Sequence, residues 1–302
     1  MNRRDRKIGS FLIYAFSVCW ILGFPIWADP VVATEKSAET TAAKAGPDLD
    51  PDPDQRCGEL LSSQAWFADN QRFYDELPAR DFMRRAHDCG LLHSPDLKVP
   101  MVQYYLRNIL GKAGRTRPTR VVMEIGSGYG RILHELLNQF PGIEKVHAVE
   151  LSGNNAATLR QVFGKHPRVT IRNENILNTT IQNSTVDVAL WMWAGFLEIP
   201  PEQKPRALRQ VFFKLRRGGV LIMDLPVSTV VVRTPVMKGS ADFRDLQMVQ
   251  RPGAPTLHLH FVTKETLIEW AEIAGFKYRG SIGYTADPPA NTERNLHLFV
   301  KN

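Results

Sequence analysis

The run Val121-Val122-Met123-Glu124-Ile125 is apolar but for one acid, and it leads straight into Gly126-Ser127-Gly128-Tyr129-Gly130-Arg131. A strand that ends in three glycines at alternate positions, with a helix opening on the last, lets the backbone turn tightly. It also brings the chain against a ligand without interference from Cβ atoms. The second strand ends at Glu150, twenty residues beyond Gly130. A carboxylate there can accept both hydroxyls of a ribose, so loop and acid together describe a nucleoside site. A dinucleotide fingerprint needs glycine at the third position after Gly128, where Arg131 stands, and a P-loop needs a Gly-Lys-Ser/Thr ending that is absent.

Around this segment, short apolar runs alternate with helical stretches. The strand candidates are Arg120–Ile125, Lys145–Glu150, Val169–Asn173, Val186–Trp191 and Val220–Asp224. The clearest helices between them are Arg131–Phe140, Asn154–Phe163 and Glu202–Leu215. Such alternation predicts a parallel sheet with helices on both faces. The tail differs: a helix Lys264–Ala274, then strands Lys277–Tyr284 and Asn295–Lys301 joined by a loop too short for a crossover helix, which makes them antiparallel neighbours. Residues 57–110 read as helices, with Leu60, Leu61, Trp66, Phe67 and Phe73 at helical spacing, then Val102, Tyr105, Leu106 and Leu110.

The spacing Glu-x-Gly-x-Gly-x-Gly, preceded by a strand and followed by Glu150, resembles motif I of the class I methyltransferases that use S-adenosyl-L-methionine. The resemblance extends over roughly residues 100–302. It implies a Rossmann-like α/β fold: a seven-stranded, mostly parallel sheet with an antiparallel C-terminal strand and a helical N-terminal cap. It also implies the cofactor sites. Glu124 helps hold the amino-acid end of the cofactor, Gly126, Gly128 and Gly130 let the backbone lie against it, and Glu150 holds the ribose. Glu174, in Asn173-Glu174-Asn175-Ile176, stands where the family has an acid on adenine, although Gly-Asp is its usual form. Trp191 and Trp193 end the fourth strand, where the family lines cofactor and substrate, and one of the two is expected in the core. The segment Phe73-Tyr74-Asp75-Glu76-Leu77 resembles the N-terminal lid of small-molecule members, which assigns Tyr74 to the cofactor; packing of an amphipathic helix is the other reading.

Methyl transfer from a sulfonium is an in-line displacement with an already activated leaving group, so positioning and exclusion of water carry most of the catalysis. A base helps when the acceptor must lose a proton. The candidates are His258 and His260, two apart and so on one face if Leu257–Phe261 is a strand, and Asp224 at the end of the fifth strand. A metal is not expected, because the His-x-His pair has no convincing third ligand. The Asp-Pro-Pro string of nucleic-acid amino-methylases falls only at Asp287-Pro288-Pro289-Ala290, in the last hairpin and without its aromatic. A small-molecule or lipid-like acceptor is therefore preferred over nucleic acid, with the insertion Pro226–Phe261 shaping its pocket. Two other readings stay open: an exported, non-catalytic nucleoside-binding module on the same fold, and an NAD-dependent oxidoreductase.

Ile8–Ala28 carries no charge, follows the basic Arg3–Lys7 cluster and ends in Pro25-Ile26-Trp27-Ala28. That layout is a signal peptide or, uncut, an N-terminal membrane anchor. Residues 29–56, rich in Ala, Thr, Asp and Pro, read as a disordered linker. The expected organisation is thus 1–28 address, 29–56 linker and 57–302 methyltransferase domain, divided into a helical cap (57–119) and a Rossmann-like core (120–302). Export or anchoring conflicts with a cofactor made in the cytoplasm. Cys57 and Cys89 either pair in an oxidising compartment or remain thiols. The net charge of +7 is spread over helices and loops and is poor support for a nucleic-acid partner.

Overall fold

The computed structural model describes residues 62–77, 118–192, 195–226, 237–239, 245–249, 255–285 and 293–302. The expected address, linker and Cys pair, together with Trp193, lie outside the described residues. Helix α1 (Ser63–Glu76) precedes a run of alternating elements: β1 (Val121–Ile125), α2 (Arg131–Gln139), β2 (Lys145–Glu150), α3 (Gly153–Phe163), β3 (Val169–Asn173), β4 (Val186–Trp191), α4 (Lys204–Lys214) and β5 (Leu215–Pro226). Then follow β6 (Met237–Gly239), β7 (Asp245–Val249), β8 (Thr256–His260), α5 (Lys264–Ile273), β9 (Phe276–Thr285) and β10 (Glu293–Lys301).

Seven strands form one sheet in the order β3-β2-β1-β4-β5-β10-β9. The first five are parallel, while β10 runs antiparallel to both β5 and β9. This is the Rossmann-like arrangement expected from the sequence, antiparallel C-terminal strand included. Chain order reverses at β1, which lies between β2 and β4, so a crevice opens beyond the C-terminal ends of these strands, where open α/β sheets bind ligands.

Both sheet faces are covered, which is why the central strands are apolar throughout rather than alternating. Val122, Val188, Val220 and Ile222 pack on one face against Leu133 and Leu136 of α2 and Leu159 and Phe163 of α3. Met123, Ile125, Trp191 and Met223 pack on the other against Phe73 of α1, Leu208 and Val211 of α4, and Leu267 and Ala271 of α5. Helix starts are chemically marked. The Ser152 hydroxyl accepts from Asn155 N at 3.1 Å to open α3, and the Thr263 hydroxyl accepts from Thr266 N at 3.2 Å to open α5.

The insertion after β5 supplies a second sheet, antiparallel, in the order β6-β7-β8. The outer edge of β8 is covered by side-chain and loop groups. Asn70 of α1 accepts from His258 N at 2.7 Å and donates to His258 O at 3.0 Å, and His260 N donates to Leu197 O at 2.8 Å. A single amide side chain thus stands in for a neighbouring strand and ties the cap helix to the insertion.

Candidate functional site

At the C-terminal tip of β1 the loop folds back over β2: Gly126 N donates to Val149 O at 2.9 Å and Ser127 N to the same oxygen at 3.2 Å. Gly126, Gly128 and Gly130 take φ of 70°, 55° and 89°, a region L side chains avoid. Gly130 is constrained twice over, since a Cβ there would meet Phe163 Cε2 at 2.4 Å and Leu159 Cδ2 at 2.9 Å. The loop therefore needs glycine both for its turn and for seating α2 against α3.

Glu150 at the tip of β2 closes this loop. Its Oε2 accepts from Gly128 N at 2.7 Å and its Oε1 from Ser152 N at 2.8 Å. One carboxylate thereby bridges the glycine loop and the start of α3, where the Asn155 side chain also hydrogen-bonds to it. Burial pushes Glu150 up, against the pull of its backbone bonds to Ser152 and Gly128. Glu124, the last acid before the glycines, is 2% exposed and its Oε2 has no hydrogen-bond partner among the described residues. Burial drives it up to about 8, opposed chiefly by Arg131.

Helix α1 lies across the crevice. Tyr74 donates its hydroxyl to Glu198 Oε1 at 2.7 Å, and Trp66 Nε1 and Asn70 Nδ2 donate to Glu198 O at 2.7 and 3.1 Å. At the next residue, Asp75 Oδ1 accepts from Ser152 Oγ at 2.7 Å and Asn154 N at 3.1 Å, so the end of the cap helix is fastened beside Glu150. Glu124, Glu150, Glu198 and Asp75 make an acidic crevice, and a ligand carrying positive charge fits that donor set.

Residues 122–219 match the family model described as a methyltransferase domain. Over that stretch the chain is similar to methyltransferase domains. A comparison of the sequence with curated proteins returns no match. In fold the chain is similar to the Burkholderia thailandensis 1,6-didemethyltoxoflavin-N1-methyltransferase, solved with 1,6-didemethyltoxoflavin and S-adenosylhomocysteine bound; identity is 20%, with 81% of this chain and 92% of that one covered at a TM-score of 0.54. It is likewise similar to the CcbJ methyltransferase of Streptomyces caelestis, at 17% identity over 77% of this chain and 99% of that one with a TM-score of 0.54. A third similar structure is a SAM-dependent methyltransferase of Leishmania major, at 13% identity over 80% and 86% with a TM-score of 0.55.

Glu124, the three glycines, Glu150 and Tyr74 meet around one crevice. The other expected residues sit differently. Glu174 turns to its own neighbourhood: its carboxylate accepts from Thr180 N and Thr180 Oγ1, both at 2.7 Å, and from Arg172 at 3.2 Å. These bonds hold its carboxyl below the usual range despite partial burial. The next residue, Asn175, caps the turn Ile176–Asn178 through its Oδ1 on Leu177 N at 2.9 Å. Trp191 is 1% exposed and packs edge-on to Phe196 at 5.0 Å, inside the core. His258 points Nε2 at Asp69, 3.1 Å away, with its ring 5.1 Å from that of Trp66, so it lies in the contact between α1 and β8. His260 sits two residues on, at the end of β8. Asp224 is wholly buried and accepts from Arg294 Nε through both oxygens, at 2.9 and 3.0 Å, an ion pair between β5 and β10. No cluster of three metal-ligating side chains occurs among the described residues.

Sequence reasoning did not single out Glu198, Asn70 or Asp75. The available signal for Glu198 was an acid two residues past Phe196, in the turn beyond the fourth strand.

Proposed function

We propose that this chain transfers the methyl group of S-adenosylmethionine to a small-molecule acceptor by in-line displacement. The observation that carries the cofactor half is the Glu150 carboxylate on Gly128 N at 2.7 Å, which sets a ribose-binding acid against the glycine loop. The acidic crevice suits a cationic donor, and the unpartnered oxygen of buried Glu124 awaits a donor group such as an ammonium. S-adenosylmethionine, when bound, supplies an electrophilic methyl on a positively charged sulfur. The chain's own part is to hold the ribose with Glu150, to receive the amino-acid end beside Glu124 and the glycines, and to cover the site with α1.

At the adenine end both oxygens of Glu174 and the side-chain oxygen of Asn175 are already engaged, so the Asn175 amide NH2 is the group we infer to meet the base. The acceptor reading is supported by the cap helix α1, which is fastened both beside Glu150 and to β8 of the inserted sheet. It is supported too by the bound small molecule of the Burkholderia relative. Replacing Glu150 by Ala tests the cofactor half. Affinity for S-adenosylmethionine falls by at least tenfold if the carboxylate holds the ribose, a loss in the range for hydrogen bonds to a charged group. Unchanged affinity would overturn the assignment.

A further inference from the structure

Glu198 occupies the turn between β4 and α4, and its backbone is held from several sides. Trp66 and Asn70 grip its carbonyl. The Lys204 ammonium donates to the carbonyls of Phe196 and Leu197 and lies 4.6 Å over the Phe196 ring. The side chain is therefore presented from a fixed backbone, and Tyr74 takes Oε1 while Oε2 has no hydrogen bond among the described residues. The charged and titratable groups around it are few. From α1 there is Tyr74, while Asp69 and Asp75 on the same helix face His258 and Ser152. Glu150 reaches it from β2 and Lys204 from α4, the latter committed to carbonyls. Burial pushes Glu198 up to about 7, Glu150 adds to the rise, and the Tyr74 hydroxyl and Lys204 oppose it. Such an acid forms no ion pair among the described residues, and its charge is opposed by burial and by Glu150.

We propose that Glu198, with Tyr74 on its Oε1, answers the changing charge of the methyl donor: a carboxylate when S-adenosylmethionine is bound and a carboxylic acid when S-adenosylhomocysteine is bound. This rests on the methyltransferase reading. An acceptor X–H attacks the methyl carbon, the X–CH3 bond forms, and the C–S bond breaks with its electron pair remaining on sulfur. The positive charge on sulfur disappears and X gives up a proton. Glu198 takes up one proton as that charge is lost, so the net charge of the crevice is the same before and after transfer. Proton uptake in place of a bare charge change keeps the site from holding an unneutralised carboxylate out of water, which is costly.

The test is titration calorimetry on the full-length protein at pH 7, in two buffers of different ionisation heat, with S-adenosylmethionine and S-adenosylhomocysteine as the probes. From this group wild type releases about half a proton on binding S-adenosylmethionine and takes up about half on binding S-adenosylhomocysteine, a difference of about one proton per site. Glu198→Gln removes that part and lowers the preference for the charged ligand by about tenfold. Tyr74→Phe deletes a bond that favours the carboxylate, so its proton release at pH 7 is larger than wild type, an outcome mere loosening of the cap does not produce. Equal proton release in wild type and Glu198→Gln, or an equal loss of affinity for both ligands, overturns the proposal. If neither ligand binds wild type, the methyltransferase reading fails and takes the inference with it.

Discussion

Gly130 combines two demands at one position: a left-handed backbone and a space already filled by Phe163 and Leu159. Gly130→Ala is predicted to cost about 2–4 kcal/mol, the sum of left-handed strain and overpacking, read by urea denaturation. A loss within about 0.5 kcal/mol, as at an ordinary surface position, would show that the helices part easily. Glu124 carries a pH signature. Its folded-state value of about 8 lies above the ordinary carboxylate range, so the folded ligand-free protein binds a proton the unfolded chain has released. Its contribution to stability is fully present below about 4.5 and is lost as pH rises through about 8. Glu124→Gln should flatten the stability curve over that window, measured by denaturant midpoints from pH 5 to 9; an unaltered slope would mean the acid is not buried uncharged. The acids and glycines of the loop were legible because the spacing that makes them a site is local. Glu198 was not, because its partners Trp66, Asn70 and Tyr74 lie 132, 128 and 124 residues away. Nor could spacing show that Glu174 would turn toward Thr180, six residues on, rather than into the crevice.

The elements most legible in the chain were strands of the seven-stranded sheet. β2, β3 and β4 have the boundaries their apolar runs predict, and β10 pairs with β9 as the short connection requires. β5 extends beyond its expected Val220–Asp224 to Leu215–Pro226, because Arg216 reaches Asp187 and the pairing with β4 continues through an irregularity near Val186. β6 and β7 went unseen: Asp245-Leu246-Gln247-Met248-Val249 mixes polar and apolar residues too evenly to be told from a loop. Asn70 makes the hydrogen bonds of α1 to the backbone of the inserted sheet. Asn70→Ala leaves His258 N–H and C=O without that partner and is predicted to cost about 2–4 kcal/mol, at about 1–3 kcal/mol for each buried group left unpaired. Chemical denaturation measures it, and hydrogen exchange should rise first in α1 and β8. A uniform rise across the seven-stranded sheet instead would contradict a local role.

For the whole molecule, the length divides into the seven-stranded sheet with its helices, the inserted three-stranded sheet, and the N-terminal residues beyond those described. No helix among the described residues is long and apolar enough to cross a membrane. The expectation that residues 1–28 route the chain across one therefore has its own test: a reporter fused after Asn302 that is active only in the cytoplasm should be silent, and its activity would refute export. Fold class followed from the alternation of runs and the glycine loop, whereas the order reversal at β1 is seen only in the strand pairing. The cap's role did not, because it depends on where α1 lands: across Glu198, His258 and Ser152, three segments that come together only in the folded chain. The central claim is that the crevice at β1 and β2 binds S-adenosylmethionine. Calorimetry of the full-length protein with S-adenosylmethionine and NAD decides it: binding of the first with little or no heat from the second is the predicted result, and binding of NAD without S-adenosylmethionine would contradict the account.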